Sequence, residues 1–248
     1  MSPPGCNAGL ASDVSLEDLL AELGACRACV EYPQGKPLPH EPRPVLRVSR
    51  TAKLAVAGQA PGTRVHQSGV PFTDPSGDRL RDWMGVTPDE FYDASRVAII
   101  PMGFCFPGLD AHGGDLPPRR ECAPLWRKRL FAQLPQLELV LLVGLYAHRW
   151  HLPKGEARAV TETVRRGARM LDGPCKLRLL PLPHPSWRNN HWIKANPWFE
   201  TDVLPGLRNE VRGLLEPPDP SPPPEQGRRL SQQPRRHSFT ERDPAPKR

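Results

Sequence analysis

Residues 54–86 read LAVAGQAPGTRVHQSGVPFTDPSGDRLRDWMGV. The first four, Leu54–Ala57, form a short apolar run of the size of a buried strand. The run breaks into Gly58-Gln59-Ala60-Pro61-Gly62, where two glycines and a proline force a tight turn and let a ligand approach the backbone. Ser76-Gly77-Asp78 then offers an N-cap for a helix that carries Leu80, Trp83 and Met84 on one face. A strand entering a glycine turn and then a helix is how open α/β sheets build pockets, outside the carboxyl ends of their strands. An ordinary strand-to-helix connection has the same signature, so the rest of the chain must decide.

Three more strand candidates follow. Residues 97–100 run into Pro101-Met102-Gly103-Phe104-Cys105; residues 139–143 run into Gly144 and a helical 146–151; residues 177–182 run into Pro183-His184-Pro185-Ser186. Helices at 123–134 and 161–170 separate them. Strands alternating with helices predict a mostly parallel sheet with helices on both faces. The loops after such strands gather at one edge, which brings Gln59, Phe72, Met102 and His184 together. Upstream, Ser15 caps a helix whose Leu16, Leu19, Leu20 and Leu23 make an amphipathic stripe ending at Gly24. Residues 30–50, with five prolines, read as a loop, and a last helix starts near Pro197 and is kinked at Pro205.

A chain of 248 residues holds one large α/β domain plus appendages. Its expected organisation is a frayed N-terminus at 1–14, one domain at 15–216 and a disordered tail at 217–248. The tail holds nine prolines and seven Lys/Arg against four Asp/Glu, too little apolar surface to offset ordering entropy. It contributes +3 of the net +7, a balance that suits an anionic partner but equally a solvated basic protein. No apolar run approaches a membrane span and no leader is read, so a cytoplasmic protein is expected.

Six cysteines in such a chain point to metal or redox use before disulfides. Cys26 and Cys29 are two residues apart, whereas sixteen residues separate Cys105 from Cys122. That wide second pair argues against a zinc ribbon; four thiolates can equally hold an iron–sulfur cluster, and Cys105 and Cys122 can equally be small buried residues.

In order, Cys26-x-x-Cys29, Gly58-Gln59-Ala60-Pro61-Gly62, Pro71-Phe72, Cys105, Cys122 and His184-Pro185-Ser186 resemble the uracil-DNA glycosylase superfamily. Within it they resemble the iron–sulfur branches usually called families four and five, over residues 15–215. The resemblance implies a three-layer α/β/α sandwich on a four-stranded, mostly parallel sheet. It implies that Gln59, Ala60, Pro61 and Gly62 line a uracil pocket, with Gln59 replacing the usual Glu near the water's path. Phe72 would stack on the flipped base, Met102 would adjoin it, and His184 would hydrogen-bond the base carbonyl as negative charge develops. Cys26, Cys29, Cys105 and Cys122 would hold a 4Fe-4S cluster, and Ser186, Trp187 and Arg188 would enter the DNA stack.

Two departures accompany the match. The acidic residue that orients water in family four falls here at Val65, followed by His66, and the pyrimidine-reading Asn falls at Pro101. His66, Asp74 and Asp78 are the local polar candidates for water, although each also suits a turn or cap, Asp78 as a first-turn acid. The resulting expectation is a monofunctional glycosylase removing uracil or a related deaminated base from DNA in base excision repair. It acts as a monomer in a bacterial-type, nucleoid-associated setting. The alternative is a DNA-binding, lesion-sensing module that keeps the fold and hydrolyses poorly.

Overall fold

In the computed structural model the sheet is built from Leu54–Ala57 (β1), Val97–Ile99 (β2), Leu139–Val143 (β3), Arg169–Met170 (β4) and Arg178–Leu182 (β5). Their order is β2-β1-β3-β5-β4. The first four run parallel, and the two-residue β4 pairs antiparallel with β5 at the edge. The structure describes residues 14–157, 159–167, 169–170 and 177–216. All precede Pro217, where the chain divides into two units. The basic tail, Cys6 and all of the N-terminal segment but Val14 lie outside the described residues.

Strand side chains alternate between faces, and both faces here are buried, which is why the strands read as unbroken apolar runs. Leu54, Val56, Val97, Ile99, Leu139, Leu141, Leu180 and Leu182 enter one core; Ala55, Ala57, Ala98, Val140, Leu142 and Leu179 enter the other. The second core is covered by Leu16–Gly24 (α1) and, further along the chain, by the helices at Cys122–Ala132 and Leu145–His151. Between these in sequence come Ala28–Glu31 (α2), Thr63–Ser68 (α3), Pro75–Met84 (α4) and Pro88–Tyr92 (α5). Cys122–Ala132 is thus α6, Leu145–His151 α7, Val160–Arg166 α8, Asn190–Ala195 α9 and Leu204–Leu215 α10. Leu80, Trp83 and Met84 of α4, Phe91 of α5, Val164 of α8 and the stripe Leu204, Leu207, Val211 and Leu215 of α10 cover the first core. The result is an α/β/α sandwich on a sheet with four parallel strands.

Ser15 caps α1 as read, its Oγ accepting from the Asp18 N–H at 3.0 Å. Three local expectations change. The α4 cap is Asp74, three residues before Gly77, because Pro75 takes the first helical position and leaves Ser76 inside the helix. The helix expected over 161–170 ends at Arg166: Gly167 takes a φ of 70°, and the chain beyond it pairs with β5 instead. At the C-terminal end the regular helix starts at Leu204, after a π-helical turn at Phe199–Val203. Pro205 has no N–H to close the α-helical bond, so the irregularity falls on the turn before it. Among the described residues no helix is long and apolar enough to cross a membrane.

Candidate active site

The loops leaving β1, β2 and β5 enclose a cleft of about 580 Å³ whose walls include Gln59, Gly62, Phe72, Pro101, His184 and Arg188. The β1 and β2 loops are laced together by backbone bonds: Met102 N–H to Gly58 O at 2.9 Å and Gly103 N–H to Gln59 O at 3.0 Å. Glycine at position 58 leaves room for the Phe72 ring, since a Cβ there would stand 3.0 Å from its Cζ. Phe72 has the one positive φ among the described non-glycine residues, 56°. That strain is held by its carbonyl, which accepts from Tyr92 Oη at 3.0 Å and from Arg81 Nη1 at 3.2 Å. Its ring meets Phe91 edge-on at 5.9 Å. Gly77 packs under the same carbonyl so closely that a Cβ would fall 1.9 Å from the Phe72 oxygen.

His184 follows β5, half-buried, and its Nδ1 accepts from the Ser186 N–H at 3.2 Å. In the neutral ring the proton therefore sits on Nε2, which makes no hydrogen bond among the described residues and is free to donate. Burial holds the ring's pKa below the ordinary imidazole value; the Asp74 carboxylate opposes this and Arg188 reinforces it. The neighbouring β3 and β5 ends are fastened by buried His148, whose Nε2 lies 2.9 Å from Leu142 O and 3.0 Å from Leu182 O. Asn189 Nδ2 donates to His184 O at 2.7 Å. At the rim Trp187 is 70% exposed with Arg188 stacked on it at 5.3 Å, and Ser186 caps their short 3₁₀ turn.

Three residues proposed from sequence do not line the cleft. Met102 is buried in the core beneath α6 with Ile100 and Phe104. The two-residue alternation of the strand continues past its end, so Ile99 and Pro101 face the cleft instead. Asp78 is a solvent-exposed first-turn acid paired with Arg81 Nη2 at 2.5 Å, which matches its reading as an acid suited to the helix dipole. His66 packs beside the cleft against His40 and Phe106, with ring centroids at 4.4 and 5.6 Å, and its Nδ1 is buried without a partner. Burial, with His40 and Arg43 nearby, lowers its pKa. Among the cleft residues that the sequence reading did not single out is Asp115, from the loop ahead of α6.

A second, smaller cavity shares no residue with this cleft. Cys26, Cys29, Cys105 and Cys122 all line it, together with apolar Leu23, Phe104 and Trp126. All four are free thiols. Burial pushes the Cys105 and Cys122 thiols up to about 12. Among the described residues no three His, Cys, Asp or Glu stand close enough to form a metal site as they are. The donor set nevertheless suits a soft metal or cluster: four sulfurs, an apolar wall and no competing disulfide.

The family model of the Uracil DNA glycosylase superfamily matches residues 47–208, from just ahead of β1 into α10. That span contains the whole sheet and every cleft residue named above. The chain belongs to the uracil DNA glycosylase superfamily.

Proposed function

We propose that this protein hydrolyses the N-glycosidic bond of uracil or a related deaminated base in DNA. The observation that carries the reading is the cleft itself, where the Gln59–Gly62 turn, a strained aromatic at Phe72 and a neutral histidine donor at His184 converge beside an exposed Trp187 and Arg188. A base within a duplex cannot be reached, so it must be flipped out, stacked and read at its edge. Phe72 supplies the stacking face, Trp187 the wedge that offsets unstacking, and His184 the donor to the leaving base. With Val65 and Pro101 in place of the acid and the Asn, the reading is a broad rather than uracil-restricted excision, because a stack accepts any base.

The test is single-turnover cleavage of oligonucleotides carrying uracil, hypoxanthine, xanthine or a normal base, single- and double-stranded. Release of one or more deaminated bases, with normal bases untouched, is expected. Lesion-selective binding without base release would favour the lesion-sensing alternative, for which the two departures speak. The protein would act as a monomer in the cytoplasm of a bacterial-type cell.

Cys26, Cys29, Cys105 and Cys122 would hold a 4Fe-4S cluster. Its contribution would be structural, tying the segment after α1 to the loop after β2, away from the base. Anaerobically purified protein should contain iron and sulfide. Stoichiometric zinc without iron would reassign the site, and metal-free protein of full stability would remove it.

A further inference from the structure

Water that attacks a glycosidic carbon needs a proton acceptor, and the position where family four carries one is Val65, which is buried. We propose that Asp115 holds and deprotonates the attacking water in this cleft, an inference that rests on the glycosylase reading above. The other carboxylates nearby are engaged. Asp74 Oδ1 caps α4 by accepting from the Gly77 N–H at 3.2 Å, and Asp78 is paired with Arg81 outside the cleft. Asp115 lies against the turn that follows β1: its Oδ2 stands 3.3 Å, and its Oδ1 3.7 Å, from where a Cβ on Gly62 would be. The φ of Gly62, −85°, suits any residue, so glycine here leaves room for the carboxylate and not for the backbone.

Both oxygens of Asp115 are free of hydrogen bonds among the described residues, although the residue is open to solvent, as a water-binding group must be. Its backbone is not loose. Asp115 bridges antiparallel to Leu109, and the turn between them is pinned by Asp110 Oδ1, which accepts from the His112 and Gly114 N–H groups, each at 2.8 Å. The charges acting on it are Arg188, which favours the carboxylate, and Asp74 and Asp110, which oppose it. Partial withdrawal from water is the largest influence, and the carboxyl is held above the usual carboxylate range, the direction a general base needs.

In the step itself the water oxygen bonds to C1′ of the sugar while one of its protons passes to Asp115. The C1′–N bond breaks and its electron pair leaves on the base, where the Nε2–H of His184 meets the developing charge. The proton then returns through solvent from Asp115 to the released base, leaving neutral base and an abasic sugar with a 1′-hydroxyl.

The test compares wild type, Asp115→Asn, Asp115→Ala and Asp74→Asn on the base the wild type excises, in single turnover across pH. Asp115→Asn should lower the rate by roughly 10²–10⁴-fold, the range of a lost general base. It should also abolish the fall in rate toward acid, while affinity for a duplex with an uncleavable 2′-fluorinated nucleotide stays at wild-type level. Added formate should restore part of the rate of Asp115→Ala. Asp74→Asn, which keeps a capping side chain, should retain the acidic limb. Wild-type-like kinetics in Asp115→Asn would overturn this assignment alone, as would loss of the acidic limb in Asp74→Asn instead. A wild type that releases no base would overturn the glycosylase reading and this step with it.

Discussion

Replacing His184 by Ala is expected to slow base release by roughly 10²–10³-fold, the loss that follows removal of one well-placed donor to a developing anion. The size follows from how the ring is fixed. Its Nδ1 is committed to the Ser186 N–H, so the proton that remains is on Nε2. Its Cβ and Cδ2 lie 3.4 Å from where a side chain on Gly144 would begin, and Gly144 has a φ of 85°, so the wall behind the ring is backbone. Burial lowers the ring's pKa from the ordinary imidazole value, which favours the neutral form. A neutral ring lets Nδ1 accept from the Ser186 N–H while its Nε2–H faces the anionic base. Activity should therefore show no histidine transition near the ordinary imidazole pKa. Because the interaction strengthens as charge develops, binding of an uncleavable lesion duplex should change little, and His184→Asn, which retains an N–H donor, should recover part of the rate. A His184→Ala enzyme close to wild type in single turnover would remove the residue from the chemistry.

Much of the frame that presents this ring was legible in residue order. The four apolar runs had the length of strands, the turns after them carried the glycines and prolines, and a parallel sheet forces such turns to one edge. That is enough to bring Gln59, Phe72 and His184 to one cleft. What pattern reading missed has physical causes. Met102 follows a strand that had already ended by hydrogen bonding, yet its side chain keeps the strand's alternation and goes to the core. Asp115 sits in a turn with no periodicity, and only the tertiary approach of that turn to Gly62 gives it a role. The helix expected over 161–170 stops at Arg166 because Gly167 takes a positive φ, which residue order does not reveal until the chain reverses onto β5. Arg127 was equally hidden: an arginine in a helix reads as a solvated residue, and here it is 0% exposed.

Arg127→Ala should destabilise the fold by about 3–5 kcal/mol, since the side chain satisfies several buried acceptors and fills the space between them. Its Nη1 donates to Ile100 O at 2.9 Å and Pro101 O at 2.8 Å, and its Nη2 to His151 Nε2 at 2.6 Å. The guanidinium also lies over the Phe131 ring at 5.0 Å. Truncation leaves two carbonyls and an imidazole without partners in a dry interior. The carbonyls belong to the segment that runs from β2 into the cleft, so the loss reaches Pro101 in the cleft wall. Arg127→Met separates the contributions: it refills most of the volume but offers no donor, and should remain destabilised by roughly 1–3 kcal/mol, less than Arg127→Ala. Acid should produce a related weakening. To accept from Arg127, His151 must be neutral, and burial with the adjacent guanidinium holds its pKa well below 6.5. The unfolded chain takes up that proton as pH falls through 6.5 while the folded chain does not, so stability is present above that pH and is lost progressively below it. Buried His148 adds to the same slope. Urea unfolding at pH 7.5 and pH 5.5 checks both effects, and an Arg127→Met protein as stable as wild type would show that these donors contribute nothing net to the fold.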